Sequence, residues 1–78
     1  LVPVISEDFL FTVTRASFAQ RRKTILNNLT SQLERGKEKK EQILQALSQA
    51  EIEPGRRGES LSIPEFARLS DALYPYFH

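Results

Sequence analysis

Apolar residues along this chain recur at three- and four-residue intervals in four blocks, each opened or closed by a polar or breaker signal. In the first block Phe9, Val13 and Ala16 fall at i, i+4 and i+7 and share one helical face. Pro3 favours an extended entry, and Ser6 followed by Glu7 and Asp8 supplies a hydroxyl for free amides and carboxylates at the positive end of the dipole. The first helix is therefore expected to begin at about Glu7. Phe11 and Phe18, also seven apart, share a different face with Arg15 and Arg22 between and beyond them.

The second block, Ile25, Leu26, Leu29 and Leu33, has its stripe rotated away from the first if the helix is drawn straight through. A turn or kink near Ala19 to Lys23 follows, with Lys23 or Thr24 opening the second helix; one long helix is the competing reading. Glu34 to Gln42 reads as a polar connector in which Gly36 is placed to end the second helix in a left-handed conformation. Ile43, Leu44, Leu47 and Ala50 predict a third amphipathic helix, closed by Ile52 and Pro54-Gly55.

The strongest local signal is "LSIPEF", Leu61 to Phe66. Ser62 and Glu65 have capping-box spacing, Pro64 sits in the first turn, and Leu61 and Phe66 flank them as a hydrophobic staple. Phe66, Leu69 and Leu73 form the buried face of this fourth helix, and Pro75 is expected to end it, leaving a short tail. No stretch alternates with period two, and no segment repeats. The expected fold is all-α, a small bundle of about four short helices without a sheet, residues 1–78 forming one domain.

Composition adds limits. With 78 residues the chain has room for one compact core, and no apolar run approaches the roughly 20 residues that cross a bilayer. The absence of Cys excludes disulfides and thiolate metal sites and suits a reducing, cytoplasmic setting. The chain also has no Met, and "LVPV" lacks the features of a signal peptide, so we read it as a piece of a longer protein.

Charge changes the picture more. The net charge is only +1, yet residues 15 to 40 carry eight cations against Glu34 and Glu38, a local balance of +6. Such segregation points to a polyanionic partner. Catalysis is poorly supplied. The only His is the terminal His78, expected to be mobile, and no group of residues has metal-ligand spacing. Glu51 and Glu53 read as solvated carboxylates at a helix end, and "GRRG", Gly55 to Gly58, as a turn rather than the RNA-clamping loop of a module that also needs strands.

The triplet Arg21-Arg22-Lys23 stands out. As a solvated helix corner it would pair with carboxylates such as Glu7 or Asp8. No acid lies within ten residues on either side in sequence, and three adjacent positions fan outward too widely for one carboxylate to neutralise. Phosphates spaced along a nucleic-acid backbone accept such a fan, and Arg meets them bidentately. Arg15 joins the triplet as a candidate RNA contact. Phe11 and Phe18 are expected in the core, with base stacking beside Arg15 and Arg22 as the alternative. Lys37 to Lys40 reads as a solvated connector with a secondary electrostatic role.

"FLFTVTRASFAQRRKTILNNL" followed by "RGESLSIPEFARLSDAL" resembles the C-terminal helical domain of the bacterial small-subunit rRNA adenine dimethyltransferases, the family linked to kasugamycin sensitivity. The resemblance spans Pro3 to Leu73. It implies a parent enzyme that transfers methyl groups from S-adenosylmethionine to two adjacent adenines near the 3′ end of small-subunit rRNA, with the chemistry in an N-terminal Rossmann-like domain. The Gly-rich cofactor loop and the Asn-Leu-Pro-Tyr type motif of that domain do not occur in this chain, so no catalytic, cofactor or metal residue carries over. What the resemblance assigns here is docking by Arg21, Arg22 and Lys23 to ribosomal RNA. The implied partners are the small ribosomal subunit and the N-terminal catalytic domain. Arg57 and Glu59 match the family's Arg-x-Glu, expected to fix the loop before the last helix. The alternative is a structural or protein-interaction module without RNA contact.

Overall fold

The computed structural model describes residues 4–33 and 35–77; the expectations at Pro3 and His78, and for Glu34 at the head of the connector, lie outside them. Four α-helices follow in order: α1 (Glu7–Ser17), α2 (Ile25–Gln32), α3 (Lys40–Gln49) and α4 (Ile63–Phe77), with one 3₁₀ turn at Gly58–Ser60 before α4. There is no strand among the described residues, so the expected all-α bundle is what forms.

Each predicted start is made by its predicted cap. Ser6 Oγ accepts from Phe9 N at 3.1 Å, and Thr24 Oγ1 accepts from Asn27 N at 3.3 Å. At α4 the capping box is reciprocal: Ser62 N donates to Glu65 Oε1 at 2.9 Å and Glu65 N to Ser62 Oγ at 3.4 Å, with Leu61 and Phe66 buried beside it. Helix α1 packs on α2 and α4, and α3 packs on the same two, which closes the four into a ring. Inside it Val13, Ile25, Leu29, Ile43, Leu47, Leu69 and Leu73 are fully buried, each contributing about 1.5–3 kcal/mol of apolar transfer.

Local expectations fail where tertiary contacts override them. The left-handed residue after α2 is Arg35, at φ 60°, not Gly36. Gly36 is required instead for close approach, since a Cβ there would meet the carbonyl oxygen of Leu29 at 2.7 Å and press on that of Thr30. Helix α3 begins at Lys40, three residues before the first apolar position, because Lys, Glu and Gln are good helix formers that apolar periodicity does not register. It closes in a Schellman arrangement: Glu51, at φ 61°, donates its N–H to Ser48 O at 3.0 Å, and Ile52 N reaches Leu47 O at 2.8 Å.

Pro75 does not end α4, which continues to Phe77. The missing N–H frees only one carbonyl near the helix end, and the final turn is held from outside. Phe9 packs against Tyr74 and Phe77 with ring centroids 5.8 and 6.1 Å apart, Tyr76 OH donates to Gln45 Oε1 at 3.2 Å, and Lys39 Nζ donates to Tyr76 O while lying 4.6 Å from the Phe77 ring centre.

Candidate nucleic-acid interface

The chain reverses between α1 and α2 in a compact corner, residues 18 to 24. Phe18 caps α1 by donating to Thr14 O and Arg15 O, Ala19 N bonds Ala16 O at 3.2 Å, and Lys23 N closes a turn onto Gln20 O at 3.1 Å. A side chain from the far side of the corner locks it. Asn28, 1% exposed, donates one amide to Ser17 O at 2.9 Å and to Gln20 O at 3.0 Å, tying the end of α1 and the turn to α2. These two bonds to backbone carbonyls, the one to Ser17 buried, tie the reversal down.

The loop before α4 braces the corner from below. Ile25 N donates to Arg56 O at 2.6 Å and Leu26 N to Pro54 O at 3.4 Å, so the first amides of α2 are satisfied by that loop and by Thr24. Arg56 in turn ion-pairs with Glu65 and donates to Ser60 O and, at 3.2 Å, to Ser60 Oγ. The Arg56 guanidinium, and secondarily the Ser62 N–H, hold the Glu65 carboxyl down at about 2 against an ordinary 4.5. Gly58 lies against the end of α1, where a Cβ would come within 2.5 Å of Ser17 O.

On this brace Arg21, Arg22 and Lys23 are all exposed, and among the described residues none has a hydrogen-bond or ion-pair partner for its side chain. Glu7 and Asp8 do not pair with them. From Phe9 to Leu33 there is no acidic residue at all, so beyond the first turn of α1, which carries the exposed Glu7 and Asp8, neither α1, the corner nor α2 contributes a negative side chain. The α2 amides are already engaged, so attraction for an anion comes from these side chains and not from an open helix end.

Arg15, exposed on α1, has its guanidinium carbon 5.6 Å from the centre of the Phe11 ring. The expected core placement of Phe11 is wrong: its ring is 66% exposed, while Phe18 is 49% exposed and only leans on Phe66 at 5.8 Å. Both face outward because Phe9, Val13 and Ala16 already fill the one face of α1 that the bundle can cover. Between α1 and α2 runs a groove of about 250 Å³ lined by Thr12, Arg15, Ala16, Ala19 and Gln32.

The assignments to Arg57 and Glu59 also need correction. Both are exposed, and among the described residues their side chains make no hydrogen bond or ion pair. Arg56 and Gly58, the residues before and between them, fix the loop. Of the connector lysines, Lys37 and Lys40 are exposed as expected, whereas Lys39 is half-buried on α4. Asn28 was not singled out from the sequence, although a signal exists: three residues after Ile25 and one before Leu29, it puts an amide on the buried stripe. Among the described residues no three His, Asp or Glu side chains converge to hold a metal ion, and no helix is long and apolar enough to cross a membrane.

No protein-family model matches the chain. Individual proteins do. It is 66% identical over 77 residues, 99% of its length, to ribosomal RNA small subunit methyltransferase A of Anoxybacillus flavithermus. It is 66% identical over 97% of its length to the protein of that name from Lysinibacillus sphaericus, and 58% over 94% to that from Streptococcus thermophilus. The chain spans about a quarter of the length of these relatives, 25–26% in each. As the resemblance implied, this chain is, over nearly all of its length, a homologue of one segment of the ribosomal RNA small subunit methyltransferase A family.

Proposed function

We propose that this domain docks a small-subunit rRNA adenine dimethyltransferase on its RNA through Arg21, Arg22 and Lys23, with Arg15 extending the contact along α1. The observation that carries this reading is the corner itself: three adjacent cations on a braced reversal, none used by the fold, in an acid-free stretch from Phe9 to Leu33. A corner whose backbone is already tied down loses little backbone freedom on meeting phosphates, so its charge contributes to affinity. The relatives, ribosomal RNA small subunit methyltransferases by name, agree with an RNA partner.

In this reading binding energy is placed away from the reacting atoms. The domain grips rRNA so that two adjacent adenines reach a catalytic domain, where S-adenosylmethionine supplies the methyl groups. The residues of this chain do not fit that cofactor. Its glycines form no nucleotide loop, Gly36 and Gly58 being pressed onto backbone carbonyls, so no step of methyl transfer is assigned to them. Titrating the chain with small-subunit rRNA at two salt concentrations tests the docking role. Binding that weakens steeply with salt is expected; salt-insensitive binding, or none, contradicts it and favours a structural or protein-interaction module.

A further inference from the structure

The exposed ring of Phe11 on α1 is neither packed in the core nor explained by phosphate contacts. Phe11, Arg15 and Phe18 stand at i, i+4 and i+7, all exposed, and Arg21 and Arg22 follow them in sequence after the chain turns. Phe11 is 66% exposed in a small domain that buries Phe9 and Phe66. Leaving a large ring in water forfeits the transfer energy a core position would give. Arg15 lies over it at 5.6 Å, within cation–π range of the ring. The polar α1–α2 groove opens beside this pair.

We propose that Phe11 and Arg15 form a stacking platform for an unpaired nucleobase of the same RNA whose phosphates meet the Arg21–Lys23 corner. This deepens the docking reading and rests on it. Three observations select a base over a protein side chain as the occupant. The platform joins a π face to a cation, and both members present flat surfaces on which a base stacks. No carboxylate between Phe9 and Leu33 is available to an apolar partner that would desolvate Arg15. Phe11 also stands seven positions before Phe18, where the corner begins, a rise of about 10 Å along a helix, or a few stacked bases at about 3.4 Å each. Bases inside a duplex present only their edges, so the ligand is a nucleotide in a bulge, loop or single-stranded end.

The test uses the full chain and two RNA hairpins equal in length and charge, one fully paired and one with unpaired adenines in a bulge. The wild-type chain is expected to prefer the bulged RNA by about tenfold, within the range of one base–aromatic stack. Phe11→Ala abolishes that preference without changing the salt dependence, and Phe11→Tyr retains it. Because Phe11 is on the surface, an unchanged helical circular dichroism spectrum verifies that Phe11→Ala is folded. Salt-dependent binding with no preference for the bulge, or a preference that survives Phe11→Ala, overturns the platform and leaves the docking reading standing. Failure of the wild-type chain to bind either hairpin in a salt-dependent way overturns both.

Discussion

Two arginine-bearing loops lie at opposite ends of the same brace and are used in opposite ways. In the loop before α4, Arg56 is consumed by the fold: it ion-pairs with Glu65, bonds Ser60, and its own carbonyl caps α2. At the α1–α2 corner Arg21, Arg22 and Lys23 have no such partner among the described residues, and the corner is held instead by the uncharged Asn28. A fold that needs a cation gives it an acid at hydrogen-bond distance. A cluster without one costs stability by mutual repulsion unless something outside the chain supplies the anion. Position relative to acids, more than residue type, separates the structural arginine from the arginines proposed to dock.

The contrast can be broken at either end. The largest effect is expected on RNA affinity: Arg21→Ala, Arg22→Ala and Lys23→Ala together should weaken binding roughly a hundredfold near 0.15 M salt, about three phosphate contacts' worth. Their thermal midpoint should stay nearly unchanged, because exposed positions without partners typically move stability by about 0.5 kcal/mol or less. A large loss of stability in this triple variant, read by urea titration, would place the cations in the fold after all.

Stability should respond instead to the bracing residues. Asn28→Ala removes two bonds to backbone carbonyls, one of them buried, and is expected to cost about 1–3 kcal/mol in urea unfolding. Gly58→Ala forces a methyl against Ser17 O and should cost about 1–3 kcal/mol as well. A wild-type urea midpoint in either variant would show that the corner does not depend on this brace. The smallest effect belongs to the Arg56–Glu65 pair and is best seen through pH. Because Glu65 is held at about 2 in the folded chain against 4.5 ordinarily, its contribution is fully present above about pH 4.5 and is lost as pH falls toward 2. Glu65→Gln should flatten that part of the acid limb while leaving RNA affinity unaltered.

The signals legible in the sequence were those that act over a few residues. Ser6, Thr24 and Ser62 each cap the helix expected of them, and the mismatch of apolar stripes across Ala19 to Lys23 does mark a reversal. Long-range contacts were not legible. Pro75 reads locally as a stop because the rings of Phe9 and Phe77, 68 positions apart, cannot be paired from local pattern. Gly36 and Gly58 serve close backbone approach, and Phe11 was assigned to a core whose capacity becomes visible only once Phe9, Val13 and Ala16 are seen to fill it. The candidate site was readable in its charges, while Asn28 and Arg56, which hold it in place, act through contacts that only the folded chain brings together.

The central claim is that the cations of the α1–α2 corner serve an external polyanion, and the dependence of RNA binding on salt measures it most directly. In a plot of log affinity against log salt concentration, the triple variant should have a slope shallower than wild type by roughly 2 to 3, the signature of lost phosphate contacts. Parallel lines for wild type and variant would contradict the account.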